Sequence, residues 1–300
     1  MTKSVIRKAV IPVAGLGTRM LPATKAIPKE MLTVVDKPAI QYVVDEAVAA
    51  GIRDIVLVNH SSKSAIENHF DLNPELEAQL IEKKRDDLLS QLRDTLPSGV
   101  SIISVRQGRA LGLGHAVACA EGVVGDEPFV VMLPDVLIDN DVCGSDLIAM
   151  LDRYRQSGFP QIMMEKVPDD QVEKYGIADL LGATLRAGMS SPINALVEKP
   201  AIDVAPSNWA VVGRYILPPE IFSLLRVTKP GAGGEIQLTD AIARLMNQFT
   251  VEAYGMEGET FDCGSKLGYL EAIFHYALKH PEIGDSARKL LIRYCKDMES

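Results

Sequence analysis

Ala9-Val10-Ile11-Pro12-Val13, followed by Ala14-Gly15-Leu16-Gly17-Thr18-Arg19 and continuing through Lys25 to Pro28-Lys29-Glu30, is the stretch that decides the fold. The apolar run reads as a buried strand. The two glycines after it let backbone N–H groups approach a ligand with no Cβ in the way. Three basic side chains, Arg19, Lys25 and Lys29, follow within a few residues. A glycine turn after a strand, loaded with fixed positive charge, suits phosphate. A dinucleotide fingerprint would need a third small residue where Met20 stands, and a P-loop would need Gly-Lys-Ser/Thr where Gly17-Thr18-Arg19 stands. Both spellings therefore fail. A plain strand-to-helix turn stays open for the two glycines alone. The length of the loop, well beyond the usual ~2–6 residues, favours function.

The 300 residues are enough for a substantial core, in one large α/β domain or two small ones. A net charge of −9 argues against nucleic acid or an anionic membrane as the main partner. It also sets the basic cluster apart from the mean field. Cys119, Cys143, Cys263 and Cys295 are scattered with no Cys-x-x-Cys pair, which points to reduced thiols in a cytoplasmic protein. Lys3, Arg7 and Lys8 precede a short run broken by Pro12, so this end reads as the first strand and not as a signal peptide. No apolar stretch approaches the ~20 residues that span a bilayer.

Strand and helix alternate along the first half. Ala9–Val13, Asp54–Val58, Ser101–Arg106 and Phe129–Leu133 read as strands. Pro38–Ala50 reads as a helix with Pro at its start and Gly51 as its cap, followed by helices at Ser62–Phe70 and Leu113–Glu121. Pro74–Leu96 reads as one long charged helix with Leu76, Leu80, Leu88 and Leu92 on a stripe. Continuous apolar strands alternating with helices imply a parallel sheet covered on both faces, hence an α/β fold. In the second half Gln161–Val167, Ala195–Glu198, Trp209–Leu217 and Val251–Tyr254 read as strands. Helices are expected after Pro218-Pro219 and over Ile236–Met246, Lys266–Lys279 and Ser286–Lys296. No linker is evident. The simplest organisation is an α/β domain over residues 1–265 with a helical extension, 266–300.

In an open parallel sheet, ligands bind beyond the carboxyl ends of the strands. Asp135 lies just past Phe129–Leu133. It is either a hard oxygen ligand for Mg²⁺, held by one or two carboxylates plus substrate phosphates, or a helix-capping Asp. Asp262 has the same two readings. Glu198-Lys199-Pro200 ends a strand and is either a surface turn or a pair of side chains facing a ligand. Gln107-Gly108 and Gly112-Leu113-Gly114-His115 follow another strand end. No metal-ligand spacing of His and no Ser/His/Asp or Cys/His arrangement is visible, which counts against covalent catalysis.

Together these segments make the chain resemble the bacterial UTP–glucose-1-phosphate uridylyltransferases over nearly its whole length. The resemblance is carried by Val10 to Lys25, Ala26 to Leu32, Val105-Arg106-Gln107-Gly108, Gly112 to Ala116, Leu133-Pro134-Asp135-Val136, Val197-Glu198-Lys199-Pro200, Glu235 to Asp240 and Asp262-Cys263-Gly264. It implies a Rossmann-like, three-layer α/β/α nucleotidyltransferase fold with a mixed, mostly parallel sheet. It implies the reaction of UTP with glucose 1-phosphate to give UDP-glucose and pyrophosphate, with Mg²⁺, in a homodimer or homotetramer. By the same likeness Ala14, Gly15, Leu16, Gly17, Glu30, Gln107 and Gly112 hold the nucleotide. Arg19, Lys25 and Lys29 meet the triphosphate, Lys199 the sugar phosphate, and Gly176, Glu198 and Gly213 the sugar. Asp135 is the expected metal ligand, with Asp262 beside it. Thr33 departs from the family, which usually has Pro there. Two related readings stay beside it: a weakly active regulatory paralogue, which differs in the Gly-Thr-Arg segment and the Tyr-Gly pair, and a sister enzyme using dTTP or ATP, which nucleotide competition would separate. Gly17-Thr18-Arg19, Tyr175-Gly176 and Gly234-Glu235 match the active type.

Overall fold

The computed structural model describes residues 5–298; Lys3 and the last two residues of the expected extension lie outside them. The main sheet runs, in spatial order, Ser190–Pro192, Glu252–Gly255, Gln161–Lys166, Trp209–Leu217, Phe129–Met132, Lys8–Pro12, Asp54–Asn59 and Ser101–Arg106. Lys8–Pro12 pairs in parallel with Asp54–Asn59 and Phe129–Met132, and Asp54–Asn59 with Ser101–Arg106. Trp209–Leu217 is the exception at the centre, antiparallel to Phe129–Met132 on one side and Gln161–Lys166 on the other. A branch adds Gly176–Asp179, which pairs with both Trp209–Leu217 and Ala195–Glu198. The sheet is mixed and mostly parallel in direction.

The continuous apolar strands divide cleanly between two cores because successive side chains point to opposite faces. Ala9, Ile11, Ile55, Leu57, Val130 and Met132 join one core. Val10, Val56, Val58, Phe129 and Val131 join the other. Helices Ala39–Ala49, Ser145–Ser157 and Lys266–Lys279 cover the first face, through residues such as Ile40, Val43, Met150 and Ala272. Helices Leu113–Cys119, Glu220–Val227 and Leu238–Leu245 cover the second, through Val117, Phe222 and Ile242. Phe129 and Phe222 stack with ring centroids 5.0 Å apart. The result is a three-layer α/β/α arrangement.

Two expectations are corrected, and one pair of strands is added. Pro74–Leu96 is two helices, Pro74–Glu82 and Asp86–Arg93, because Lys84 takes φ +52° and breaks the helical run. The leucine stripe turns across this break onto a short hairpin of helices. Leu113–Glu121 likewise stops at Cys119, and a separate turn of helix covers Glu121–Val124. Val136–Asp139 and Glu259–Asp262, which have no element assigned from sequence, pair antiparallel as a small second sheet. Each is four residues long, and the partner lies some hundred residues away.

Candidate active site

Four parallel strands, Lys8–Pro12, Asp54–Asn59, Ser101–Arg106 and Phe129–Met132, end on the same edge of the sheet, as their registers require. A cleft of about 480 Å³ opens beyond those ends. Its walls include Ala14, Gly15, Gly17, Arg19, Lys29, Gln107, Gly112, Asp135 and Gly264. The glycine loop, the Gln107–Gly112 segment and the Asp135 turn therefore converge, although they lie far apart in sequence.

Each piece is held by local chemistry. Gly17 takes φ +65°, and a Cβ there would sit 3.2 Å from both Thr24 Cγ2 and Lys29 Cβ. Thr24 Oγ1 donates to the Gly17 carbonyl at 2.7 Å, folding the long loop back on itself. Gly15 has open space where a Cβ would be, so its backbone faces the cleft. Gly112 takes φ +103° against the Glu235–Ile236 backbone, where a Cβ would come within 2.7 Å of Glu235 Cβ. Gln107 is buried, and its Nε2 donates to the Gly112 carbonyl at 3.2 Å and lies 3.0 Å from His115 Nδ1. His115, in the first turn of helix Leu113–Cys119, is a polar neighbour of Gln107.

The charged centre is the Asp135 turn. Phe129–Met132 delivers Leu133-Pro134-Asp135, and the next strand begins at Val136, so Asp135 caps no helix. Lys29 Nζ donates to Asp135 Oδ2 at 2.5 Å, and Arg19 stands 3.7 Å from the same oxygen. Burial alone would raise the Asp135 pKa, but Lys29 and then Arg19 outweigh it and hold the carboxyl below its ordinary range. Lys29 moves the opposite way: its own desolvation is overcome by Asp135, and its pKa rises.

Asp262 arrives by the small second sheet, where it registers with Val136. The Cys263 N–H donates to the Asp135 carbonyl at 2.8 Å, locking the two turns together. Asp262 Oδ1 accepts from the Gly264 N–H at 2.9 Å, whereas the cap of helix Lys266–Lys279 is Ser265 and not Asp262, and Arg19 lies 3.8 Å from Oδ2. A Cβ on Gly264 would lie 2.9 Å from Asp135 Oδ2 and 2.9 Å from Asp262 Oδ1. The two carboxylates and the Arg19 guanidinium, whose Nη2 would be 2.6 Å from that Cβ, thus converge on one small space that glycine keeps free of a side chain of its own. Cys263 beneath them is buried and its thiol is pushed up to about 12, chiefly by desolvation, so it is inert.

A second group lies along the branch of the sheet. Glu198 registers with Gly176, and a Cβ on Gly176 would lie 3.3 Å from Glu198 Oε2. Thr239 Oγ1 donates to Glu198 Oε2 at 2.7 Å. Lys199 is held at φ +48°, an uncommon conformation for a residue with a side chain, and its Nζ lies 3.4 Å from Glu198 Oε1. Its N–H donates to the Tyr175 carbonyl at 2.9 Å. The Tyr175 hydroxyl is close enough to Asp262 and Arg19 to feel both charges, although burial is the larger cause of its raised pKa. Gly213 takes φ +83° in the central strand, where the register with Gln161–Lys166 shifts, and it abuts Leu133 on the cleft wall.

Other expected site residues fall elsewhere. Glu30 is fully buried and its carboxylate accepts two bonds from Lys63 Nζ, at 2.9 and 2.8 Å, so it does not line the cleft. Desolvation raises Glu30 and lowers Lys63, each partly offset by the other. Lys25 and Leu16 are exposed beside the cleft and are not among its wall residues. Sequence reading missed Lys63, Gly264 and the wall position of Leu133. Lys63 carried a usable signal: it follows the carboxyl end of Asp54–Asn59, the rule that found Asp135.

A three-layer sheet with a glycine loop, convergent cations and paired carboxylates beyond its parallel strand ends defines a phosphate-handling α/β enzyme. Residues 8–278 match the nucleotidyl transferase family model. The UTP–glucose-1-phosphate uridylyltransferase of Haemophilus influenzae is 55% identical over 97% of this chain and all of its own. The UTP-bound UGPase from Acinetobacter baumannii superposes with a TM-score of 0.90 at 56% identity, covering 96% of this chain and 99% of that one. A UDP-glucose pyrophosphorylase complexed with UDP-glucose matches with a TM-score of 0.82 at 40% identity, covering 92% of this chain and 100% of that one. The chain belongs to the nucleotidyl transferase family, in its UTP–glucose-1-phosphate uridylyltransferase branch.

Proposed function

We propose that the chain joins UTP and glucose 1-phosphate to give UDP-glucose and pyrophosphate. The observation that carries this reading is the position of Lys29 and Arg19 on Asp135, within one cleft closed by the glycine loop. In that reading an oxygen of the sugar phosphate attacks the α-phosphorus of UTP in line. A new P–O bond forms, the bond to the β-phosphate oxygen breaks, and the electron pair leaves with pyrophosphate. No protein nucleophile is required, since positioning and charge neutralisation supply the catalysis. Lys29, Arg19 and, from the exposed rim, Lys25 offset the triphosphate charge. Lys199 does so for the sugar phosphate. The backbone from Ala14 to Gly17, with Gln107 and Gly112, receives the nucleoside. Glu198 accepts from sugar hydroxyls, and Gly176 and Gly213 leave room for the ring. Glu30 acts from below, through Lys63.

Two hard carboxylates facing one small space fit Mg²⁺, which is held by few protein ligands and completed by substrate phosphates and water. Among the described residues no group of three or more His, Cys, Asp or Glu side chains could hold an ion alone. Asp135 and Asp262 would hold the ion, which when bound would neutralise phosphate charge. Arg19 and Lys29 now lie on those carboxylates and would turn to the substrate's phosphates.

A cytoplasmic location belongs to the same proposal, supported by the four free cysteines. No described helix is long and apolar enough to cross a membrane. Self-association as a homodimer or homotetramer is supported by Leu267, Leu270 and Phe274, which leave an exposed apolar stripe on helix Lys266–Lys279. Light scattering is expected to give a multiple of the 32.6 kDa chain mass; a monomer at working concentration would refute it. The function itself is tested by pyrophosphate release with a panel of nucleotides and sugar phosphates. UTP with glucose 1-phosphate is expected to be the best pair. A preference for dTTP, or background turnover from folded protein, would replace this reading with the sister-enzyme or regulatory one.

A further inference from the structure

We propose that Arg214 is a positioning residue for the Asp135 turn, coupling the carboxylate to the central antiparallel strand. The inference rests on the reading of Asp135 as a metal ligand. Arg214 stands in the Trp209–Leu217 strand and is fully buried, the largest such side chain among the described residues. A charge in an otherwise apolar strand is costly unless each donor is met.

Every guanidinium nitrogen has a partner. Nε donates to Glu46 Oε1 at 2.9 Å, and Nη2 to Glu46 Oε2 at 2.7 Å. Glu46 comes from helix Ala39–Ala49 and is itself buried. This fork is the bidentate geometry that arginine alone offers a carboxylate. The remaining donors turn the other way. Nη2 donates to the Val136 carbonyl at 2.8 Å and Nη1 to the Leu133 carbonyl at 3.2 Å, with the Gly213 carbonyl 3.3 Å away.

Leu133 and Val136 bracket Pro134-Asp135. The guanidinium therefore clamps both ends of the turn that carries the carboxylate. Two more bonds finish the frame: the Leu133 N–H donates to the Gly213 carbonyl at 2.9 Å, and the Cys263 N–H to the Asp135 carbonyl at 2.8 Å. Proline 134 donates nothing, so the turn has no helix or sheet ladder of its own between the brackets. Glu46 aims the guanidinium, and the guanidinium aims the turn. Arg214 touches no substrate in this arrangement and acts through Asp135.

Two variants test the assignment. In the double variant Glu46→Leu/Arg214→Met the pair is replaced by apolar side chains of similar bulk, a change that often leaves stability intact. In Arg214→Lys the charge on Glu46 is kept, but a single ammonium cannot span both carbonyls. Each is compared with wild type in thermal midpoint, in UTP affinity without metal, and in Mn²⁺ affinity in the presence of UTP, read by electron paramagnetic resonance. Asp135→Asn is run beside them. The expected result is a folded variant that binds metal-free UTP within about threefold of wild type. Its Mn²⁺ affinity falls tenfold or more, and kcat falls with it. A folded variant with wild-type Mn²⁺ affinity overturns the proposal if Asp135→Asn loses that affinity. If Asp135→Asn keeps it, the metal-ligand reading of Asp135 fails instead. If neither Arg214 variant folds, the residue is purely structural and the proposal also fails.

Discussion

Asp135→Asn is expected to lower uridylyl transfer by roughly a hundred- to a thousandfold, the usual loss when one charge-stabilising group is removed from a preorganised site. The substitution is nearly isosteric, so the Leu133–Val136 brackets and the Cys263 bond survive; what disappears is the charge. Lys29 then loses a partner at 2.5 Å. Because it is mostly buried, the free protein should lose about 1–2 kcal/mol. The pH dependence identifies the source. The folded-state pKa of Asp135 is lowered. Its contribution is therefore fully present above the ordinary carboxylate value of about 3.9 and is lost as pH falls through the lower folded value. Lys29, with a raised folded pKa, contributes below its ordinary value of about 10.4 and loses that contribution as pH rises through the folded value. The stability gap between wild type and variant should be widest near neutral pH and should narrow in acid. Turnover within tenfold of wild type, or a gap that widens in acid, would sink the assignment.

Gly213→Ala is expected to be strongly damaging, because conformation and packing both oppose the added methyl. Gly213 has φ +83°, which costs a residue with a Cβ about 1–2 kcal/mol. The new methyl would also meet three Leu133 side-chain atoms at 2.8, 2.8 and 2.9 Å, and overpacking of this kind costs about 1–3 kcal/mol. The neighbouring strand cannot yield freely, since its register with Trp209–Leu217 is fixed by pairing. A loss of about 2–5 kcal/mol, read as a fall of roughly 5–15 °C in Tm, is the expected outcome. Displacing Leu133 shifts the first bracket of the Asp135 turn, so kcat should fall even in the folded fraction. Gly122→Ala is the control: it lies in a short helix with nothing within 4 Å of its Cβ, and it should be neutral or slightly stabilising. Equal Tm values for the two variants would remove the steric argument.

The sequence by itself determined the layers. Ala9–Val13, Ile55–Val58 and Phe129–Leu133 are apolar at every position, and only a strand covered on both faces can bury such runs. The helix from Ala39 to Ala49 and its Gly51 cap were legible because Pro and Gly punctuate locally. That the glycine loop, Asp135 and Gln107 would line one cleft was legible because strand ends in such sheets face one edge. What remained hidden depends on contacts between distant residues. The break at Lys84 lies in a run of good helix formers and shows only as a left-handed backbone. The strand that brings Asp262 beside Asp135 is four residues whose partner is far away in the chain. Glu30 is a nucleotide-binding residue by the resemblance, yet its carboxylate is buried against Lys63, which the strand-end rule puts on the same edge without pairing the two. Arg214 is a lone charge in an apolar strand, and its purpose lies in Glu46 and in the two carbonyls that bracket the Asp135 turn. Local periodicity and turn chemistry act over a few residues, and they set the elements. The paired carboxylates and the buried clamp come from register and side-chain geometry, which exist only once the sheet has closed.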